Sequence, residues 1–176
     1  MDVLIRMLDH HLSLVGDIVE RLDRVGDDVL DRPIELSVEG IDREPTLRTV
    51  SGRLVGQMEM WVSALEGGTR MPSPGDLSAG GLRLRLDAIA PRFRALAVGA
   101  LEEGRAGDTF VDAICDPPET FSYGGMIAHV LTFSAVRRTL AIGALESAGV
   151  DDLGSGDPMA FVGGTGADAS TIRRTR

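Results

Sequence analysis

Three histidines, set among carboxylates and guanidinium groups, are the residues of this chain with the widest chemical reach. His129 lies in the Pro-free stretch from Phe121 to Ser147, FSYGGMIAHVLTFSAVRRTLAIGALES, and His11 lies near the N-terminus beside His10. Taking every third or fourth residue, Met126, His129, Phe133, Val136, Leu140 and Gly143 form one apolar stripe. Leu4, Leu8, His11, Val15, Ile18 and Leu22 form another, so both imidazoles are expected to point into a helical core. His10 then falls on the flank, about 100° around the helix from His11. Two imidazoles and a carboxylate such as Glu59 would make a three-ligand site with an open position, suited to a divalent metal such as zinc or nickel. The same imidazoles fit two other descriptions: core histidines satisfied by hydrogen bonds, or an acid–base pair.

Arg53, Arg137 and Arg138, with Glu59, allow a different use. Guanidinium groups can close internal ion pairs with Glu59, or hold an anionic ligand through forked hydrogen bonds. Trp61 reads as a core anchor or as the wall of a ligand pocket. Cys115 precedes Asp116-Pro117-Pro118 with no His or Lys beside it to lower its thiol pKa, so it reads as a small half-buried residue rather than a nucleophile. No Ser-His-Asp set or carboxylate pair has usable spacing, and the glycines from Gly154 to Gly166 lack the strand-to-helix setting of a phosphate loop.

The elements that must position these residues are helical. The first helix spans 2 to 24 and stops at Gly26, DDVLD and Pro33. A long connection over 32 to 46 contains IELSV, which alternates like a short strand. The second helix starts near Pro45-Thr46, carries Leu47, Ser51, Leu54, Met58, Trp61 and Leu65 inward, and ends at Gly67-Gly68. The loop MPSPGDLSAGG leads to a third helix over about 79 to 104, with Leu82, Leu86, Ile89, Phe93, Leu96 and Ala100 inside. On that helix Arg83, Arg85, Arg92 and Arg94 are expected mostly outside, and Pro91 is expected to kink or split it. Thr109 to Ile114 are strand-like, and Pro117-Pro118 forbids helix before the Gly-Gly break that opens the fourth. Residues 1–150 therefore read as one bundle domain. Residues 151–176 read as a tail, flexible or docked through Met159 to Val162.

Composition narrows the function. The chain has 176 residues, enough for one ordinary core, and one cysteine, which rules out an internal disulfide framework. A formal charge of −9 disfavours nucleic acid as a partner. All 18 basic residues counted as Lys or Arg are Arg, a bias that a GC-rich genome explains. No apolar run reaches the roughly 18 residues a membrane span requires. MDVLIRMLDHH lacks the pattern of a signal peptide, so the expectation is a cytoplasmic protein with no membrane partner.

Three segments resemble the DinB/YfiT-like family, with coverage of about 1 to 149. Arg53-Leu-Val-Gly-Gln-Met-Glu-Met-Trp61 is similar to its second-helix segment, and DTFVDAICDPPETFSYGG to its connection before the last helix. Gly125-Met-Ile-Ala-His-Val-Leu-Thr-Phe-Ser-Ala-Val-Arg-Arg138 is similar to its last-helix segment. The resemblance implies an all-α, antiparallel four-helix bundle with a short extended excursion before the last helix, and a homodimer. It also implies a metal held by one second-helix His and an HxxxH pair on the last helix. Here those positions read Arg53, Phe133 and Arg137, so the usual triad is absent and a fixed guanidinium repels a cation. The expected function is a bundle with a degenerate metal site, without a cofactor, binding a small anionic ligand through Arg53, Glu59, Arg137 and Trp61. The alternative is a divalent-metal-dependent S-transferase or isomerase acting on a thiol of the mycothiol or bacillithiol type. It requires His11, His129 and Glu59 to meet on one zinc or nickel ion.

Overall fold

A computed structural model describes residues 3–36 and 42–163. The chain is mostly helical, with a small two-stranded sheet. Helix α1 spans Val3–Arg21 and tightens into a 3-10 turn at Leu22–Arg24; α2 is a single turn at Asp27–Leu30. Helices α3 (Leu47–Leu65), α4 (Ala79–Glu102) and α5 (Tyr123–Ser147) complete a set of four long helices, and a short α6 covers Pro158–Gly163. Both α1 and α3 pack against α4 and α5, so one core runs between all four long helices. Among the described residues no helix is long and apolar enough to cross a membrane.

Capping fixes where the helices start. Thr46 and Thr49 form a reciprocal box at the head of α3: the Thr49 N–H donates to Thr46 Oγ1 at 3.1 Å, and the Thr46 N–H to Thr49 Oγ1 at 2.9 Å. Pro45 therefore precedes the cap rather than starting the helix. Ser78 caps α4 by accepting from the Gly81 N–H, and Ser122 caps α5 by accepting from the Gly125 N–H. The Gly124-Gly125 pair, read as a break, thus lies inside the first turn of α5. Gly124 is needed for close approach, because a Cβ there would come within 2.9 Å of the Ala106 carbonyl oxygen.

Several expectations change. Residues 34–36 of IELSV form no strand; Pro33 makes only an isolated bridge to Thr46, and the rest of that segment lies outside the described residues. The excursion is a hairpin, with β1 (Thr109–Asp112) antiparallel to β2 (Glu119–Ser122) and Phe110 opposite Phe121. The second strand was not foreseen. Pro91 does not split α4, which runs unbroken over 24 residues from Ala79 to Glu102. Pro91 and Asp87, whose carbonyl loses its helical donor, are both exposed, so water can satisfy that carbonyl.

The inner face of α5 lies one position away from the expected stripe. Of that stripe Met126 and Leu140 are buried, but His129, Phe133 and Val136 are half-buried and Gly143 is exposed, while Ile127, Val130, Leu131, Ser134, Ala141 and Leu145 are buried instead. This helix contacts both α1 and α3 and carries apolar residues on most of its circumference, so periodicity alone did not locate its centre.

The chain after Gly149 docks on the helices as far as it is described. Asp152 accepts from Arg21 Nε and Arg24 Nη1, each at 2.8 Å, and Leu153 packs on the core. Gly156 takes φ +70°, and a Cβ there would lie 2.7 Å from Leu14 Cδ2, so only glycine lets the backbone lie this close to α1. The Phe161 ring meets His10 edge-on at 5.5 Å. His10, placed on the flank from sequence, is therefore covered.

Replacing Pro91 with alanine restores a donor for the Asp87 carbonyl at an exposed site. Pro91→Ala is expected to raise unfolding stability by about 1–3 kcal/mol, read from urea denaturation.

Candidate functional site

The site is built on one face of α3. Thr49, Arg53, Gly56, Gln57 and Met60 recur at helical spacing and line a cavity of about 540 Å³. His129 and Arg137 of α5 close one side, and Arg85 of α4 with the loop from Met71 to Leu77 closes the other. Gly52 lets the loop approach, since a Cβ there would meet Leu77 Cδ2 at 2.7 Å.

Two ion-pair systems organise the walls. Asp42, with 1% of its side chain exposed, accepts from Arg53 Nη1 of α3 and, at 3.1 Å, from Arg137 Nε of α5. Arg137 Nη1 also donates to Gln57 Oε1 at 3.2 Å, and Ser134 Oγ donates to that oxygen at 3.1 Å. A buried charge is tolerable only when paired in this way. In the second system Glu59 accepts a forked pair from Arg85, Nε at 2.9 Å and Nη2 at 2.6 Å. Arg85 Nη1 donates to the Asp76 carbonyl, tying the loop to α4, and its stem lies over Gly75. A second, outer cavity of about 690 Å³ shares Glu59, Arg85, Pro72 and Ser73 with the first.

The structure separates the expected metal ligands. Both Glu59 oxygens are engaged by Arg85. His11 is fully buried, and its Nδ1 accepts from Arg138 Nη1. Arg138 lies nine residues beyond His129, about 13 Å along α5, so His11 works at a different level of the helix. His129 stacks on Phe133 with ring centroids 4.3 Å apart and meets Trp61 edge-on at 5.9 Å. Among the described residues no group of three or more His, Cys, Asp and Glu side chains could hold a metal ion. The donor set His11, His129 and Glu59 does not fit a metal, because each member is committed to a different neighbour.

The expected anion-binding residues fare differently. Arg53, Glu59 and Arg137 all line the 540 Å³ cavity, whereas Trp61 does not. Trp61 is 5% exposed and anchors the hairpin on α3, with Phe110 and Phe121 edge-on at 6.1 and 5.7 Å. The Glu59 partner is Arg85 rather than Arg53 or Arg137, which converge on Asp42 instead. Asp42, Gln57 and Arg85 were missed. Gln57, one turn after Arg53, had a signal in its polarity amid an apolar face. Arg85 had a weaker one, as the residue between the inner positions Leu82 and Leu86. Asp42 had none, because its segment lacks periodicity. Cys115 sits on the hairpin loop beside Asp112, and burial followed by the Asp112 hydrogen bond raises its thiol pKa, which opposes a nucleophilic role.

The imidazoles are biased toward neutrality. Burial, then the Arg138 charge, then His10 push His11 down to about 3. Burial and the Arg137 charge lower His129. Burial also lowers the Arg138 guanidinium. His129 therefore offers the cavity a hydrogen-bonding ring rather than a charge at neutral pH.

No family model, curated protein or solved structure matches the chain.

The depressed His11 pKa has a definite pH consequence. The unfolded chain binds a proton at His11 below about 6.5, while the folded chain resists doing so until about 3. Its stabilising effect is thus complete above the unfolded value and declines as pH falls through this window, by up to ~1.4 kcal/mol per pH unit. Denaturant titrations between these limits are expected to show this slope in the wild type and a shallower one in His11→Asn. The residual slope would reflect His10 and His129, whose pKa values are also lowered, and toward the acid end the lowered carboxyls of Asp31, Asp76 and Asp152, opposed by the raised Asp17.

Proposed function

We propose that this chain is a DinB-type four-helix bundle in which Arg53, Phe133 and Arg137 stand at the metal-ligand positions, and that it binds a small organic anion in the cavity between α3, α5 and the Met71–Leu77 loop. The observation that carries this reading is the convergence of Arg53, Arg85 and Arg137 around one cavity, in a protein of net charge −9. Among the described residues these three guanidinium groups are paired with two carboxylates, Asp42 and Glu59, and such a surplus of cationic groups, walled by low-dielectric side chains, favours an anion at the opening. The cavity lies within the range of about 300–1,000 Å³ common to small-molecule sites. The DinB part of the reading is supported by Arg53 and Arg137 meeting at Asp42, with Phe133 one turn before Arg137 on α5. A second-helix and a last-helix position that share one carboxylate face the same side of the helix pair, as two ligands of one ion would. In this arrangement fixed guanidinium charge takes the place of a metal cation, and the site's role is binding.

Thermal denaturation of the full chain with a panel of organic acids tests the anion reading. At least one acid is expected to raise the melting temperature of the wild type; at a hundred times Kd the added stability is about 2.7 kcal/mol. Arg53→Gln, a change at a half-exposed side chain, is expected to fold and to lose that response. If no acid shifts the wild type, the reading fails.

The family reading has its own test. Untagged wild-type protein is expected to carry no stoichiometric zinc or nickel by mass spectrometry. The triple variant Arg53→His, Phe133→His, Arg137→His is expected to take up close to one zinc ion per chain. A triple variant that folds and binds nothing would show that the three positions do not correspond to the family's ligands.

A further inference from the structure

Resting on the anion reading, we propose that the occupant of the cavity is a monocarboxylate with an extended apolar body, of the medium-chain fatty-acid type, rather than a compact polar anion such as phosphate. The cationic groups occupy only part of the lining. Met60 of α3 and the Met71, Pro72, Pro74 and Leu77 side chains of the loop form an apolar wall facing them. A hydrated, compact anion gains nothing from such a wall, whereas a hydrocarbon body leaves water against it and gains about 0.8 kcal/mol per methylene buried. Thioether side chains suit this role because they are flexible and polarisable and conform to chains of differing shape.

The floor of the cavity points the same way. Gly56 lines it, and a Cβ there would meet only Arg85 Nη2 at 3.8 Å and Glu59 Oε2 at 4.0 Å, which are ordinary contacts. Space above the helix backbone is left open where a larger residue fits and would improve helix propensity. Met71 is 64% exposed although it lines the cavity, so its side chain is both at the mouth and in reach of a ligand body. Arg85 is held by both Glu59 oxygens and by the Asp76 carbonyl. Arg53 and Arg137 are engaged as well, by Asp42 and Gln57, so the assignment follows the apolar wall: the body of the occupant lies on the loop side, and its carboxylate at the opposite, Arg53 and Arg137 end, beside the neutral His129 ring.

Calorimetric titration of the full-length chain with acetate, octanoate and inorganic phosphate tests this assignment. Octanoate is expected to bind one site per chain at least about tenfold more tightly than acetate, with phosphate no stronger than acetate. Gly56→Leu, which fills the cavity beside the paired Arg85 and Glu59 and leaves the Arg53 and Arg137 end unchanged, is expected to weaken octanoate by about tenfold or more while leaving acetate unchanged. Met71→Gln changes an exposed position that cannot disrupt the core, and it is expected to weaken octanoate selectively should Gly56→Leu fail to fold. Octanoate no tighter than acetate, or an octanoate affinity indifferent to Met71→Gln and to a folded Gly56→Leu, overturns the apolar-body assignment. In that event, binding of acetate or phosphate leaves the anion reading standing. If none of the three anions binds and no other organic acid stabilises the chain, both fall together.

Discussion

One buried carboxylate holds the site together. Asp42 receives Arg53 from α3 and Arg137 from α5, so two helices are joined through a residue that belongs to neither. With a side chain 1% exposed, Asp42 would be strongly unfavourable without cationic partners, and the partially buried Arg137 would be costly without it. That mutual requirement ties α3 to α5 at one level, in addition to the register set by their interdigitating apolar side chains. Gln57 and Ser134 extend the constraint into the core with one shared amide oxygen. The open volume beside this network follows from the large polar heads along α3 and α5, together with Gly56, which carries no side chain.

The second polar system, Glu59 with Arg85, positions the remaining wall. Its forked geometry orients the Arg85 plane, which lets Nη1 hold the Asp76 carbonyl and lets the stem cover Gly75. A loop without regular structure is thereby pinned to α4, while Arg48 ties its other end at the Leu77 carbonyl. The contrast with His11 and Arg138 is instructive. There an arginine meets an imidazole instead of a carboxylate, and burial resolves the conflict by keeping the ring neutral. The three arginine environments thus differ in kind: a shared carboxylate, a private carboxylate, and a neutral acceptor.

These arrangements explain why a metal site built from His11, His129 and Glu59 is a poor description of this molecule. Helical periodicity correctly placed His11 inside, but it carries no information about depth along the helices. His129 and the partner of His11 are separated by two and a half turns of α5, and Glu59 turns toward α4. Similarly, Trp61 was legible as a large apolar anchor, yet whether it faced a cavity or a hairpin depended on where Phe110 and Phe121 came to rest.

By itself the sequence determined the four long helices, their approximate limits and the inward face of α1, α3 and α4, because helix periodicity, caps and glycine or proline stops are encoded within a few residues. It also determined that Arg53 and Glu59 sit beside the inner face of α3, and that an extended excursion precedes the last helix. Only the tertiary structure decided that Pro91 continues a helix, that Glu119–Ser122 pairs with Thr109–Asp112, and that α5 turns a different side inward. The partners of the charged groups were decided there too. Long arginine side chains can reach any of several carboxylates, and the choice among them is made by burial and by distances between segments far apart in the chain. Asp42 and Arg137 are 95 residues apart, and no local pattern records that they meet.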